Sequence, residues 1–137
     1  MTYPQRIVCL TEETTETLYA IGAEDRIVGI SGFTVRPERA RKEKPKVSAF
    51  TSAKIGRILE LEPDLVLGFS DMQADIAAEL VRAGVAVHIF NHRTVAGIFS
   101  MIRTLGGMLG LSQYTEPYAD ELEQRVERIR AERASES

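Results

Sequence analysis

Cysteine is nearly missing from this chain. Its 137 residues include one, Cys9, so no intrachain disulfide can form. Cys9 lies in the first apolar run between Val8 and Leu10, which marks a small core residue; a reactive thiol needs an exposed site of lowered pKa. Long apolar runs are missing too, and none could span a bilayer, so no membrane insertion is expected. The N-terminus MTYPQR lacks the basic, apolar and small-residue segments of a signal peptide. The location is cytoplasmic if Met1 is the native start, unless a leader was removed earlier. The formal net charge of −3 gives no overall pull toward nucleic acid or membrane.

Catalytic signatures are equally thin. The only histidines are His88 and His92, and no Cys/His cluster has zinc spacing. There is no Gly-x-Ser-x-Gly elbow and no phosphate loop. His88 shares an apolar run with Val85, Val87 and Ile89 and reads as structural. His92 follows that run, where α/β folds place ligands. Asp71 and Asp75 stand four apart near the end of another run, and with His92 they define the one enzyme reading available, a metal-dependent one.

What is present is an alternating pattern. The short runs Ile7–Leu10, Ile27–Ile30, Leu65–Phe69 and Val85–Phe90 are apolar nearly throughout, as strands buried on both faces of a parallel sheet are. Helical patterns separate them. Thr15–Ile21 ends before Gly22, Ser52–Leu61 stops before Pro63, Met72–Ala83 stops at Gly84, and Thr94–Leu109 starts at a threonine cap. The expected fold is α/β, a Rossmann-like parallel sheet of about four strands with helices on both faces.

Three segments need separate treatment. The turn TEETTE after the first run has no glycine, so its backbone cannot approach a pyrophosphate, and Glu12 and Glu13 would repel an anion. Thr11 is expected to cap the helix through its hydroxyl. The segment TVRPERARKEKPKVSAF holds six Lys or Arg residues, interrupted by Glu38 and Glu43 and without base-stacking aromatics inside the run. It reads as a solvated loop with a short helix, with no nucleic-acid role. The tail, EPYADELEQRVERIRAERASES, reads as one long helix after Pro117 with a narrow stripe of Tyr118, Leu122, Val126 and Ile129. Such a stripe would pack on its own domain or promote self-association.

Taken in order, RIVCLTEETTETLYAIGAEDRIVGIS, KVSAFTSAKIGRILELEPDLVLGF and LVRAGVAVHIFN resemble the N-terminal lobe of helical-backbone (class III) substrate-binding proteins of ABC importers, in the cobalamin and ferric-siderophore branch. The resemblance covers nearly the whole chain but only about half of such a protein. It implies a non-enzymatic lobe over residues 1–113 and, over 114–137, the start of an interlobe helix whose second lobe is absent from this chain. It implies no cofactor, a periplasmic location and a small-molecule ligand, namely cobalamin, haem or a ferric siderophore. Thr14, Thr15 and Glu16 match the family's Thr-Glu segment at the cleft mouth. Phe33 and Phe50 stand where aromatic side chains contact the corrin, and a rigid ring covers a broad apolar face at low entropy cost. Phe69, Ser70, Asn91 and His92 follow the third and fourth runs and form a second set of cleft candidates. Two positions depart from the pattern. Glu12 stands where the family usually has proline, and Gly56 stands where a glutamate docks on arginines of the permease. A cytosolic regulatory module docking through the basic loop is the alternative from another class.

Overall fold

The computed structural model describes residues 2–49 and 52–136. Its two compact units are Met1–Asn91 and His92–Ser137. The apolar runs of the first unit become strands β1 (Ile7–Cys9), β2 (Ile27–Ser31), β4 (Leu65–Phe69) and β5 (Val87–Phe90). A fifth strand, β3 (Lys46–Ser48), joins the four that the apolar runs marked and lies at the end of the basic segment. Three residues with an exposed lysine are too few to read as a buried strand, and β3 sits at the sheet edge accordingly. All pairings are parallel, in the order β3-β2-β1-β4-β5.

Helices α1 (Glu12–Ala20), α2 (Glu38–Glu43), α3 (Ile55–Glu60) and α4 (Ala74–Arg82) supply the crossovers of this unit. The order reverses direction after β3, so right-handed connections put α1 and α2 on one face and α3 and α4 on the other. On the second face Val8, Leu10, Val47 and Val66 pack with Ile58 of α3 and with Ile76 and Leu80 of α4. The buried faces of α3 and α4 are narrow, since Leu59 and Val81 are exposed. Helix α1 begins at Glu12, earlier than its apolar pattern suggests, because Glu12, Glu13 and the threonines form a polar first turn that carries no periodicity. Thr11 is the N-cap by position, but its hydroxyl makes no cap bond and instead meets Thr14 Oγ1 at 3.0 Å.

The basic segment is largely spent on the protein itself. Arg39 pairs with Glu24 at 3.2 Å and lies over the Tyr19 ring, whose hydroxyl donates to Glu43 at 2.7 Å. Lys44 and Lys46 donate to the carbonyls of Glu24 and Arg41. Burial, and next the Glu43 bond, pushes the Tyr19 phenol well above its ordinary range.

Cys9 is fully buried, and burial pushes its thiol up from 9.0 to about 11 against the opposing pull of Thr14, Thr15 and Lys44. Iodoacetamide at about pH 8 is therefore expected to label Cys9 only when the chain unfolds. The raised value also means that the buried thiol's contribution to stability is present below pH 9.0 and is lost as pH rises toward about 11. Denaturant titrations at both ends of that window should show Cys9→Ala flattening the alkaline fall. Rapid labelling of the native chain would contradict this burial.

The second unit is a helical hairpin of α5 (Val95–Leu109) and α6 (Ser112–Glu136). Thr94 caps α5 as expected, its hydroxyl accepting from Gly97 N–H at 3.0 Å. Helix α6 starts at Ser112 and takes Pro117 inside it, where the tail was expected to start only after that proline. Pro117 is the sixth residue of α6, past the amides that have no intrahelical acceptor, so the helix absorbs it at the loss of the bond an N–H there would make to the Gln113 carbonyl. Among the described residues no helix is long and apolar enough to cross a membrane.

Candidate functional site

All five strands point the same way, so the loops after β1, β2, β3, β4 and β5 gather at one edge of the sheet. The order changes direction between β1 and β4, and the crevice outside the carboxyl ends at such a reversal is where open α/β sheets hold ligands.

Gln73 ties that reversal together. Its side chain is fully buried, its Nε2 donates to Leu10 O at 3.2 Å, and its Oε1 accepts from Phe69 N–H at 2.8 Å. One side chain thus links the ends of β1 and β4. Gly68 makes room for it, since a Cβ there would lie 2.8 Å from Gln73 Oε1 and 2.6 Å from Ile89 Cδ1.

Ser70 follows at φ +68 and ψ 160, a conformation that nearly always belongs to glycine. Three hydrogen bonds hold it there. Its N–H donates to Phe90 O at 2.7 Å, its carbonyl accepts from Gln73 N–H at 3.1 Å, and its Oγ accepts from Met72 N–H at 3.1 Å. The short 3-10 turn Asp71–Gln73 that results leaves Met72 61% exposed. Met72 was missed in the sequence because it reads as the first residue of an amphipathic helix.

The loop after β2 carries two further exposed apolar side chains, Phe33 at 65% and Val35 at 62% exposure. Each amide from Gly32 to Arg36 has an acceptor. Gly32 donates to Ser48 O, Phe33 to Ser31 Oγ, Thr34 to Ser31 O, and both Val35 and Arg36 to Glu12 Oε2. Arg41 Nη1 donates to the carbonyls of Gly32 and Thr34 at 2.8 and 2.9 Å.

The other candidates fall out as follows. Thr14 and Thr15 are buried, and their hydroxyls donate to Thr11 O, serving the first turn of α1 above Cys9. Glu16 and Phe69 are half-buried and Asn91 is exposed. His88 stacks edge-on against Phe90, with centroids 4.4 Å apart. His92 opens the second unit, with its Cβ filling the space beside Gly97. Phe50 lies outside the described residues. Gly56 has open space around it. Among the described residues no group of three or more His, Cys, Asp or Glu side chains could hold a metal ion.

A doubly wound parallel sheet with exposed apolar side chains in the loops at its carboxyl edge defines an open α/β unit. The periplasmic binding protein family matches residues 7–137, and the chain belongs to that family. A vitamin B12-binding protein of Vibrio campbellii is 33% identical over 113 residues, which cover 82% of this chain and 38% of that protein. Among solved structures, the periplasmic vitamin B12 binding protein BtuF of Vibrio cholerae aligns with a TM-score of 0.86 at 25% identity, over 98% of this chain and 53% of that one. A periplasmic heme binding protein from Pseudomonas aeruginosa aligns with a TM-score of 0.83 at 28% identity, over 91% and 45%. The chain therefore spans about half, or less, of the length of these proteins.

Proposed function

We propose that this chain is one ligand-holding wall of a substrate-binding protein for ABC-type import, that it does no chemistry on its ligand, and that the ligand is cobalamin, haem or a ferric siderophore. The observation that carries the reading is the rim itself. Phe33, Val35 and Met72 are exposed apolar side chains on backbone whose hydrogen bonds are made, at the carboxyl edge of the sheet. A broad macrocyclic face is the kind of surface such a rim covers, since ligand sites are mostly apolar with a few placed polar groups. Phe69, Ser70 and Asn91 lie at the ends of β4 and β5 and are proposed as polar and aromatic neighbours, with Phe50, Thr14 and His92 as further candidates. In this reading α6 leads to a second lobe that supplies the opposite wall. Docking on a permease would use contacts other than the usual glutamate, because Gly56 occupies that position.

Calorimetry of the chain with cyanocobalamin, haemin and a ferric catecholate tests this. One wall lacks enclosure, so a dissociation constant on the order of micromolar to millimolar is expected for one of the three. Phe33→Ala should weaken that binding by about tenfold, as removal of a rigid aromatic anchor does. Lys42→Ala, in the basic segment, should leave it unchanged. Absence of binding to all three ligands, or equal binding by Phe33→Ala, would sink the proposal.

A further inference from the structure

We propose that Glu12 and Arg41 are positioning residues that hold Phe33 and Val35 as a preset apolar rim; the inference rests on the reading of that rim as a ligand-contacting surface. The loop from Gly32 to Arg36 is short, lies at the surface and exposes two large apolar side chains. Surface loops of that kind are ordinarily mobile. Here two charged side chains from different helices remove the freedom. Glu12, in the first turn of α1, accepts from two successive amides with one oxygen, at 2.5 Å from Val35 N and 3.3 Å from Arg36 N. Arg41, in α2, bridges the two carbonyls that flank Phe33. Bonds in which one partner is ionised are about twice as strong as neutral ones, and the clamp acts on the loop from both sides.

The arrangement also explains why the first turn of α1 is acidic without being an anion site. The Glu12 carboxylate is turned to its own backbone partners 23 and 24 residues away in sequence. A rim held this way has less conformational freedom to lose when a ligand arrives, and that saving appears directly in affinity. Glu12 and Arg41 touch no ligand in this account and act only through Phe33 and Val35.

Two measurements on the 137-residue chain decide the matter. In hydrogen exchange, Glu12→Ala should speed exchange at the Val35 and Arg36 amides by about tenfold or more while Ile30 and Leu67 amides keep their protection, because opening is local. Glu12→Gln, which retains an acceptor oxygen, should stay within about threefold of the parent at the same amides. Unchanged exchange at Val35 and Arg36 in Glu12→Ala overturns the clamp whether or not any ligand binds. In calorimetry with cyanocobalamin and haemin, Glu12→Ala and Arg41→Ala should each weaken binding by about fivefold or more. Neither should add further loss in a Phe33→Ala/Val35→Ala background. Additional loss there would mean that these residues act by another route and would overturn the positioning role. If the parent binds neither probe, the functional reading fails and the exchange result alone judges the clamp.

Discussion

Gln73→Leu is expected to lower stability by about 2–4 kcal/mol, although leucine is nearly the same size and more apolar. The side chain is fully buried and serves two backbone groups at once, the Phe69 N–H and the Leu10 carbonyl. Removing one partner of a buried hydrogen bond costs about 1–3 kcal/mol, because the group left behind has lost water without gaining a replacement. Two such losses outweigh the gain from burying a more apolar side chain. Gln73→Glu should be no better, since a carboxylate accepts from Phe69 but cannot donate to Leu10, and an ionised group in that position is costly to bury. The damage should be visible locally as well. The main-chain bond from Gln73 N–H to Ser70 O survives the substitution, but the side chain also anchors the Phe69 amide just before Ser70, whose Oγ holds Met72 N–H, so the turn that displays Met72 is expected to loosen. Denaturant unfolding gives the stability and exchange at the Met72 amide gives the local effect. A Gln73→Leu chain within about 0.5 kcal/mol of the parent would mean that this tie across the strand reversal is not needed for the fold.

Much of this architecture could be read beforehand, and the parts that could not share a cause. Strands β1, β2 and β4 are runs rich in Val, Ile and Leu that are buried nearly throughout, and β5 is an apolar edge strand that is mostly half-buried; such runs announce themselves without any knowledge of their neighbours. Strand β3 does not, because its membership in the sheet depends on pairing with β2 and its own residues are few. Phe33 stood out as an aromatic in a loop, and Val35 was passed over beside it. Glu12 was noticed as a departure from a family pattern and as an acid suited to a helix start. Its hydrogen bonds to Val35 and Arg36 are tertiary and leave no periodic trace. Gln73 escaped for the same reason, since a buried glutamine looks like a surface residue until its two partners are known. Pro117 misled in the other direction. A proline is a sound helix-start signal, but a helix can also absorb one within its first two turns.

The two adjacent glycines of α5 are expected to respond to alanine with opposite signs. At Gly107 nothing lies within 4 Å of the place a Cβ would take, so Gly107→Ala should stabilise the chain by about 0.5–1 kcal/mol, the ordinary advantage of alanine inside a helix. At Gly106 the same substitution would put the new carbon 1.7 Å from Thr115 Oγ1, 2.7 Å from its Cβ and 2.8 Å from its Cγ2. Rotating Thr115 moves the hydroxyl and the methyl but leaves the Cβ where it is, so α5 and α6 must separate. Thr115 is fully buried and Ala119, one turn on, is buried as well, so separation would open the tightest part of the hairpin. Overpacking of this kind costs about 1–3 kcal/mol, sometimes more, and it must exceed the helix-propensity gain before the net sign turns. A net loss of about 2 kcal/mol is expected. The Arg103 cluster should not rescue the hairpin. Arg103 donates to Glu116, Asp120 and Glu123 across it, and these carboxylates hold its guanidinium charge more firmly. All three acids are substantially exposed, and ion pairs in water contribute little. A double-mutant cycle gives the decisive reading. Thr115→Ala removes Oγ1 and Cγ2 and relieves most of the clash, so Gly106→Ala should cost clearly less in that background than alone, with a coupling of about 1 kcal/mol or more. Equal costs in both backgrounds, or a stabilising Gly106→Ala, would show that the close approach of α5 to α6 does not set the stability of this unit.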